Sequence, residues 1–261
     1  MMTILSKILA DKRIEIDERK KIVSIDDLTK SKYFERKTLS LKHNLLRSQS
    51  GIISEFKRKS PSKGWIFEHA DVLSITSGYS KAGASGISIL TDSKYFGGSS
   101  ADILTARPRV TCPVLCKEFI VDEYQIYEAK AMGADLILLI AAALTTDEAK
   151  IFARKAHELG LEVLLEVHSE DEIAHANEFV DLLGVNNRNL KTFVTDVQVS
   201  FDLADKIPSD FIKVSESGIS QAKTVLELRQ AGYRGFLMGE NFMKETNPVQ
   251  ALQKFITKLY A

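Results

Sequence analysis

Eight short apolar runs recur between residue 51 and the C-terminus: GIISEF, GISIL, PVLCK, LILLI, LEVLLEV, LLGVN, FIKVSES and GFLMG. They begin roughly 20 to 35 residues apart, room for one strand and one crossover helix, so each strand is expected to pair in parallel with the next. The runs show little polar alternation, as befits strands covered on both faces. Eight such units in about 210 residues predict a closed (β/α)8 barrel, the TIM-barrel form of an α/β fold. An open doubly wound sheet fits less well, because no G-x-G-x-x-G follows the first run.

The stretches between the runs carry helix punctuation. Asp122 opens DEYQIYEAKAMGA, which stops at Gly133; Thr146 opens TDEAKIFARKAHELG, which stops at Gly160; Ser220 opens QAKTVLELRQAG, which stops at Gly232. Residues 1–50 break the pattern. TILSKILADKRIEIDERKK reads as one charged amphipathic helix, and SIDDLTKS and LSLKHNLLRS read as shorter helical pieces. Too few apolar residues are present for a separate core, so this segment is expected to be an N-terminal helical extension covering one barrel end. Residues 51–261 then form a single barrel domain.

Bulk properties narrow the function. With 44% hydrophobic and 27% charged residues, the chain of 261 residues is neither disordered nor collagen-like. Lys and Arg number 35, as do Asp and Glu, so no global field draws the chain to nucleic acid or to an anionic membrane. Any anion must be held by a local site. The longest apolar run, Leu136 to Leu144, has 9 residues, half of the roughly 18 that a membrane-spanning helix needs. The N-terminus lacks the apolar stretch and cleavage site of a signal peptide, which makes a cytoplasmic setting the expectation. Cys112 and Cys116 provide neither a disulfide framework nor zinc spacing and read as buried thiols.

In a (β/α)8 barrel the chemistry sits at the C-terminal ends of the strands. Glu55 and Lys57 end the first run on one face of the strand; Lys117 ends the third, Glu166 the fifth, Asn186 the sixth with Arg188 just beyond, and Glu216 the seventh. A single charged strand end is usually a solvated terminus. Several at one mouth point to catalysis, because burying charges together is too costly to be incidental. Three glycine-bearing turns suggest a phosphate cradle: Ser60 to Gly64, Glu216 to Ile219 through Ser217 and Gly218, and Met238 to Asn241 through Gly239 and Glu240. His168, two residues past Glu166, reads as a structural residue or as a support behind the site residues. His43, His69, His157 and His175 lack ligand spacing, and no metal is indicated.

Together these segments resemble the indole-3-glycerol phosphate synthase family from Ile53 to Met243. ISEFKRKSPSKG carries its Glu-x-Lys-x-x-Ser-Pro-Ser signature, and SILTDSKYFGGS, LCKEFIVDEYQI, LLIAAAL, LLEVHSEDE, GVNNRNLKTF, VSESGI and FLMGENFMK follow in family order. The resemblance implies a carbon-carbon lyase of tryptophan biosynthesis that acts on 1-(2-carboxyphenylamino)-1-deoxyribulose 5-phosphate without a cofactor. It implies Lys117 as general acid, Glu166 as general base and Lys57 as a substrate-contacting lysine. Glu55, Asn186, Arg188 and Glu216 fall at polar active-site positions. Ser60, Ser217, Gly218, Gly239 and Glu240 fall at the phosphate cradle, and Phe96, Phe119, Leu190 and Leu237 at apolar walls around the aromatic ring. A monomer is expected, with weak association to other tryptophan-pathway enzymes. Trp65 replaces a smaller apolar residue in the first loop. The alternatives are another phosphate-binding barrel, such as a phosphoribosylanthranilate isomerase, or a non-catalytic phosphometabolite-binding module.

Overall fold

Alternate side chains of a strand lie on opposite faces, and in the computed structural model, which describes residues 3–260, this alternation sorts the apolar residues into an inner and an outer core. Residues 1, 2 and 261 of the two expected segments lie outside the described residues. The strands are β1 (Ile52–Phe56), β2 (Gly86–Leu90), β3 (Val114–Lys117), β4 (Leu136–Ile140), β5 (Glu162–Val167), β6 (Leu182–Asn186), β7 (Ile212–Glu216) and β8 (Tyr233–Met238). Each pairs in parallel with its sequence neighbours, and β8 closes on β1 with Phe236 opposite Ile52. The result is a closed (β/α)8 barrel. Ile53, Leu115, Leu138, Leu164 and Val214 pack inside it, while Ile52, Ile87, Val114, Ile137, Val163 and Phe236 pack outward beneath the helices.

Helix punctuation holds at the C-terminal ends and shifts at the starts. Gly133, Gly160 and Gly232 all take positive φ, the conformation that ends a helix without a Cβ penalty. Helix Thr146–Glu158 is capped by Thr145, not Thr146, in a reciprocal pair with Glu148. Asp122 accepts the Tyr124 N–H at the start of Tyr124–Met132. Ser220 does not cap Ala222–Gln230: the chain is still extended at Gln221, and Ser220 lines a cavity instead.

Three helices precede the barrel, α1 (Ile4–Ile22), α2 (Ile25–Thr29) and α3 (Leu41–Arg47). They reach both barrel ends, where the sequence led us to expect one. α3 drives Leu41 and Leu45 into the inner core beneath the strand starts. Its N-terminal N–H groups are received by Glu162 at the start of β5, 2.7 Å from Leu41 N and 3.1 Å from Lys42 N. Asp135, fully buried, accepts from Leu39 N, Val114 N, Arg36 and Arg107 at 2.6 to 2.8 Å and staples the same end. α1 crosses the opposite rim. Cys112 and Cys116 are buried free thiols, and burial pushes Cys116 up to about 12. Among the described residues no helix is long and apolar enough to cross a membrane.

Candidate active site

A cavity of about 580 Å³ opens at the C-terminal ends of the strands, and every site residue singled out from the sequence lines it. Its floor has a simple origin. Inside such a barrel one layer is filled by side chains from alternate strands, usually branched aliphatics. Here the odd-numbered strands supply Glu55 from β1, Lys117 from β3, Glu166 from β5 and Glu216 from β7. Lys117 Nζ lies 2.6 Å from Glu216 Oε2 and 3.1 Å from Glu166 Oε2, and Lys57 Nζ lies 2.6 Å from Glu55 Oε1.

The cluster sets its own proton affinities. Burial works against the Lys117 charge, but Glu216, Glu166 and Glu55 outweigh it and hold the ammonium above its ordinary value. Glu166 is raised by burial, yet Lys117, His168 and the Asn186 amide carry it below the usual carboxylate range. For Glu216 burial wins: with Glu166 and Glu55 adding to it against Lys117, the carboxyl is pushed up to about 7. Two carboxylates on one lysine thus differ in proton affinity. This separation of neighbouring acids is a mark of acid-base sites.

The surrounding residues fix the cluster. Asn186 Nδ2 donates to Glu166 Oε1 at 3.1 Å, and its Oδ1 accepts the Arg188 N–H at 3.0 Å. Arg188 donates to Ser62 at 3.0 Å and lies 3.5 Å from the Glu240 carboxylate, joining the loops after β1, β6 and β8. One wall is apolar: Phe96 and Phe119 stand with ring centroids 5.9 Å apart, with Leu190 and Leu237 nearby and Ile4, Leu5 and Ile8 of α1 above. Ser60, Ser217, Gly218, Gly239 and Glu240 line the same cavity. Ser217 and Gly218 are consecutive left-handed residues, φ 67° and 76°, a conformation that costs a serine about 1 kcal/mol. The Asn187 amide, donating to the Ser217 carbonyl at 3.0 Å, holds the turn in place.

Some contributors were not singled out in advance. Gly184 in β6 has no room for a Cβ, because a methyl there would overlap Glu216 Oε1; a glycine inside a strand is the signal for such close approach. The α1 wall was hidden in a helix that reads as charged. Trp65 takes no part in the cavity. With Gly64 it pairs against Lys59–Ser60 in a small hairpin, and its ring lies over Gly97 of the loop after β2.

Charge of this density, held out of water beside an apolar slot at the catalytic end of the fold, defines a (β/α)8-barrel enzyme. The family model of indole-3-glycerol phosphate synthase matches residues 5–255. The protein of that name from Bacteroides thetaiotaomicron is 54% identical over 256 residues, covering 98% of each chain, and the one from Magnetococcus marinus is 42% identical with the same coverage. The chain belongs to the indole-3-glycerol phosphate synthase family, carboxy-lyases of tryptophan biosynthesis. Structures of the tryptophan synthase alpha-subunit from Pyrococcus furiosus superpose with a TM-score of 0.62 over 82% of this chain and 98% of theirs; at 15% identity they share the barrel alone.

Proposed function

We propose that the cavity closes the indole ring of 1-(2-carboxyphenylamino)-1-deoxyribulose 5-phosphate, with loss of carbon dioxide and water, by proton transfer among Lys117, Glu166 and Lys57. The supporting observation is the Lys117 ammonium, held 2.6 and 3.1 Å from two carboxylates inside a cavity with one apolar wall. Ring closure requires the aromatic carbon bearing the carboxylate to attack a ketone. An ammonium at that oxygen stabilises the developing alkoxide, which makes Lys117 the general acid. Decarboxylation follows and restores aromatic character in part. Loss of the hydroxyl then needs a proton delivered to oxygen, by Lys57 or Lys117, and a proton removed by Glu166.

Phe96, Phe119, Leu190 and Leu237 hold the flat ring and exclude water, while the phosphate end rests on Ser60, Ser217, Gly218 and Gly239. Glu240 joins that end through its backbone N–H, since its carboxylate faces Arg188 and Lys63 at 3.5 and 3.9 Å and would repel a phosphate. All of these residues come from one chain, so a monomer is a complete working unit. A phosphoribosylanthranilate isomerase would have no use for the Lys57, Lys117 and Glu166 trio.

Mixing with the carboxyphenylamino substrate should generate indole fluorescence. Lys117→Met and Glu166→Gln should keep the circular dichroism of the wild type and lower kcat by about two orders of magnitude or more. Turnover near wild type in either variant would remove that residue from the mechanism. Substitution at Ser217 or Gly239 should act chiefly on KM, and an unchanged KM would contradict the cradle.

A further inference from the structure

The inward-facing row of β5 continues past Glu166. Two residues on, His168 turns the same way, and its ring lies between two carboxylates: Nε2 is 3.3 Å from Glu166 Oε1, and Nδ1 is 3.2 Å from Glu172 Oε2. The same Glu172 oxygen accepts the His168 backbone N–H at 2.7 Å, so Glu172, in the short helical turn Asp171–His175, grips the residue twice. The His168 side chain is 13% exposed. Asn186 donates to the same Oε1 of Glu166, and Lys117 faces Oε2. Arg188 and Asp196 share the small cleft that borders His168.

We propose that His168 is a positioning residue for the family reaction: a doubly protonated imidazolium clamped by Glu172, it keeps Glu166 ionised and oriented while Lys117 serves the substrate. The inference rests on the reading of Glu166 as the base. The warrant is a count of protons. A neutral imidazole has one N–H and one bare nitrogen, and a bare nitrogen facing a carboxylate oxygen is repelled. Nδ1 of His168 is hydrogen-bonded to Glu172, while Nε2 has no hydrogen bond and meets Glu166 Oε1 only as a 3.3 Å ion-pair contact, so the doubly protonated ring is the one form that leaves no bare nitrogen against a carboxylate. The electrostatics agree. Burial disfavours the charge, but Glu166 and Glu172 outweigh it and push the imidazole up to about 10.

The consequence appears when substrate binds. As Lys117 turns toward a ketone oxygen, Glu166 loses its strongest partner and would be left near the carboxyl group of Glu216. Like charges in a buried site drive proton uptake, and a protonated Glu166 is no base. His168 supplies a resident cation that does not depart with the substrate.

Two measurements on the full chain test this. Histidine-resolved NMR should show the His168 ring protonated on both nitrogens at pH 8, and a ring that titrates near 6.5 would overturn the proposal. In His168→Asn, which removes the charge, the acidic limb of the kcat profile, which reports the substrate complex, should move up by about one pH unit, as Glu166 takes a proton more readily. An unmoved limb also overturns it. Should His168→Asn fail to fold, Glu172→Gln loosens the clamp and should shift the limb the same way by about half a unit. The two readings fail separately. An active Glu166→Gln with His168 doubly protonated defeats the base assignment, whereas an inactive Glu166→Gln with a neutral His168 defeats the clamp alone.

Discussion

At the N-terminal end of the barrel, Asp135 and Glu162 are ringed by donors that belong to the fold: backbone N–H groups of residues 39, 41, 42 and 114, the Ser40 hydroxyl, and the guanidinium groups of Arg36 and Arg107. At the C-terminal end, Glu55, Glu166 and Glu216 share two lysines across an open cavity, and Glu216 Oε1 has no hydrogen-bond partner among the described residues. Both ends bury carboxylates at strand ends. What separates them is saturation. When the donors match the lone pairs and are fixed by backbone, the charge locks a structure; when they are fewer and sit on a flexible lysine, the charge is free to exchange partners.

The strongest way to break this contrast is at the closed end. Asp135→Asn leaves the buried Arg107 without its counter-ion and should lower unfolding free energy by about 3–5 kcal/mol in urea denaturation, while kcat of the folded enzyme stays within about twofold. A loss of turnover with unchanged stability would show that the two ends are not divided as described.

Lys12 sharpens the contrast because it is a buried ion site at the open end, ringed by three carboxylates. It is 1% exposed and lies 2.7 Å from Glu15, 2.9 Å from Asp92 and 3.1 Å from Glu118. Asp92 caps the short helix that ends in Phe96, and Glu118 separates Lys117 from Phe119, so Lys12 ties α1 to both halves of the aromatic wall. Lys12→Met should cost about 3 kcal/mol and raise KM by about tenfold, with a smaller effect on kcat. An unchanged KM would mean that α1 covers the wall without shaping it.

Much of this was legible in the sequence because parallel strands buried on both faces leave unbroken apolar runs; all eight runs became barrel strands. Which charges gather at the mouth was legible too, since period two and the rule of alternate strands put Glu55, Lys117, Glu166 and Glu216 in one layer. Pairings were not. That Lys117 sits between Glu166 and Glu216, and that Lys12 is the buried lysine of a helix crowded with exposed charge, depends on tertiary distances that no local spacing encodes. For the same reason the sequence leaves His168 open between a structural and a supporting role: its second partner, Glu172, is four residues away but reaches it only through the turn that ends β5.

Gly184 offers a smaller probe of the open end. An added methyl would overlap Glu216 Oε1 and approach Leu164 Cδ1 to 3.2 Å, so Glu216 has to swing while the apolar layer stays nearly fixed. Gly184→Ala should therefore reduce kcat by about tenfold through displacement of the Lys117 ammonium, with KM altered little. Full activity would show that Lys117 keeps its place without Glu216.

The most gradual expected effect is a slope in stability against pH. Glu216 titrates at about 7 in the folded chain against an ordinary value of 4.5. Below 4.5 both states hold the proton, and the folded chain has the full benefit. As pH rises toward 7 the unfolded chain has released its proton and the folded chain still holds it, so stability falls through this window, by about 3 kcal/mol at most. Glu118, Glu128 and Glu162 are also raised by burial and add to the same decline, so the quantity to follow is the difference between wild type and Glu216→Gln. Glu166 acts at the other edge: its lowered value withdraws stability only as pH falls below 4.5. Urea midpoints between pH 5 and 7 should therefore converge as pH falls, and parallel curves would show that Glu216 holds its proton no more tightly in the folded chain than in the unfolded one.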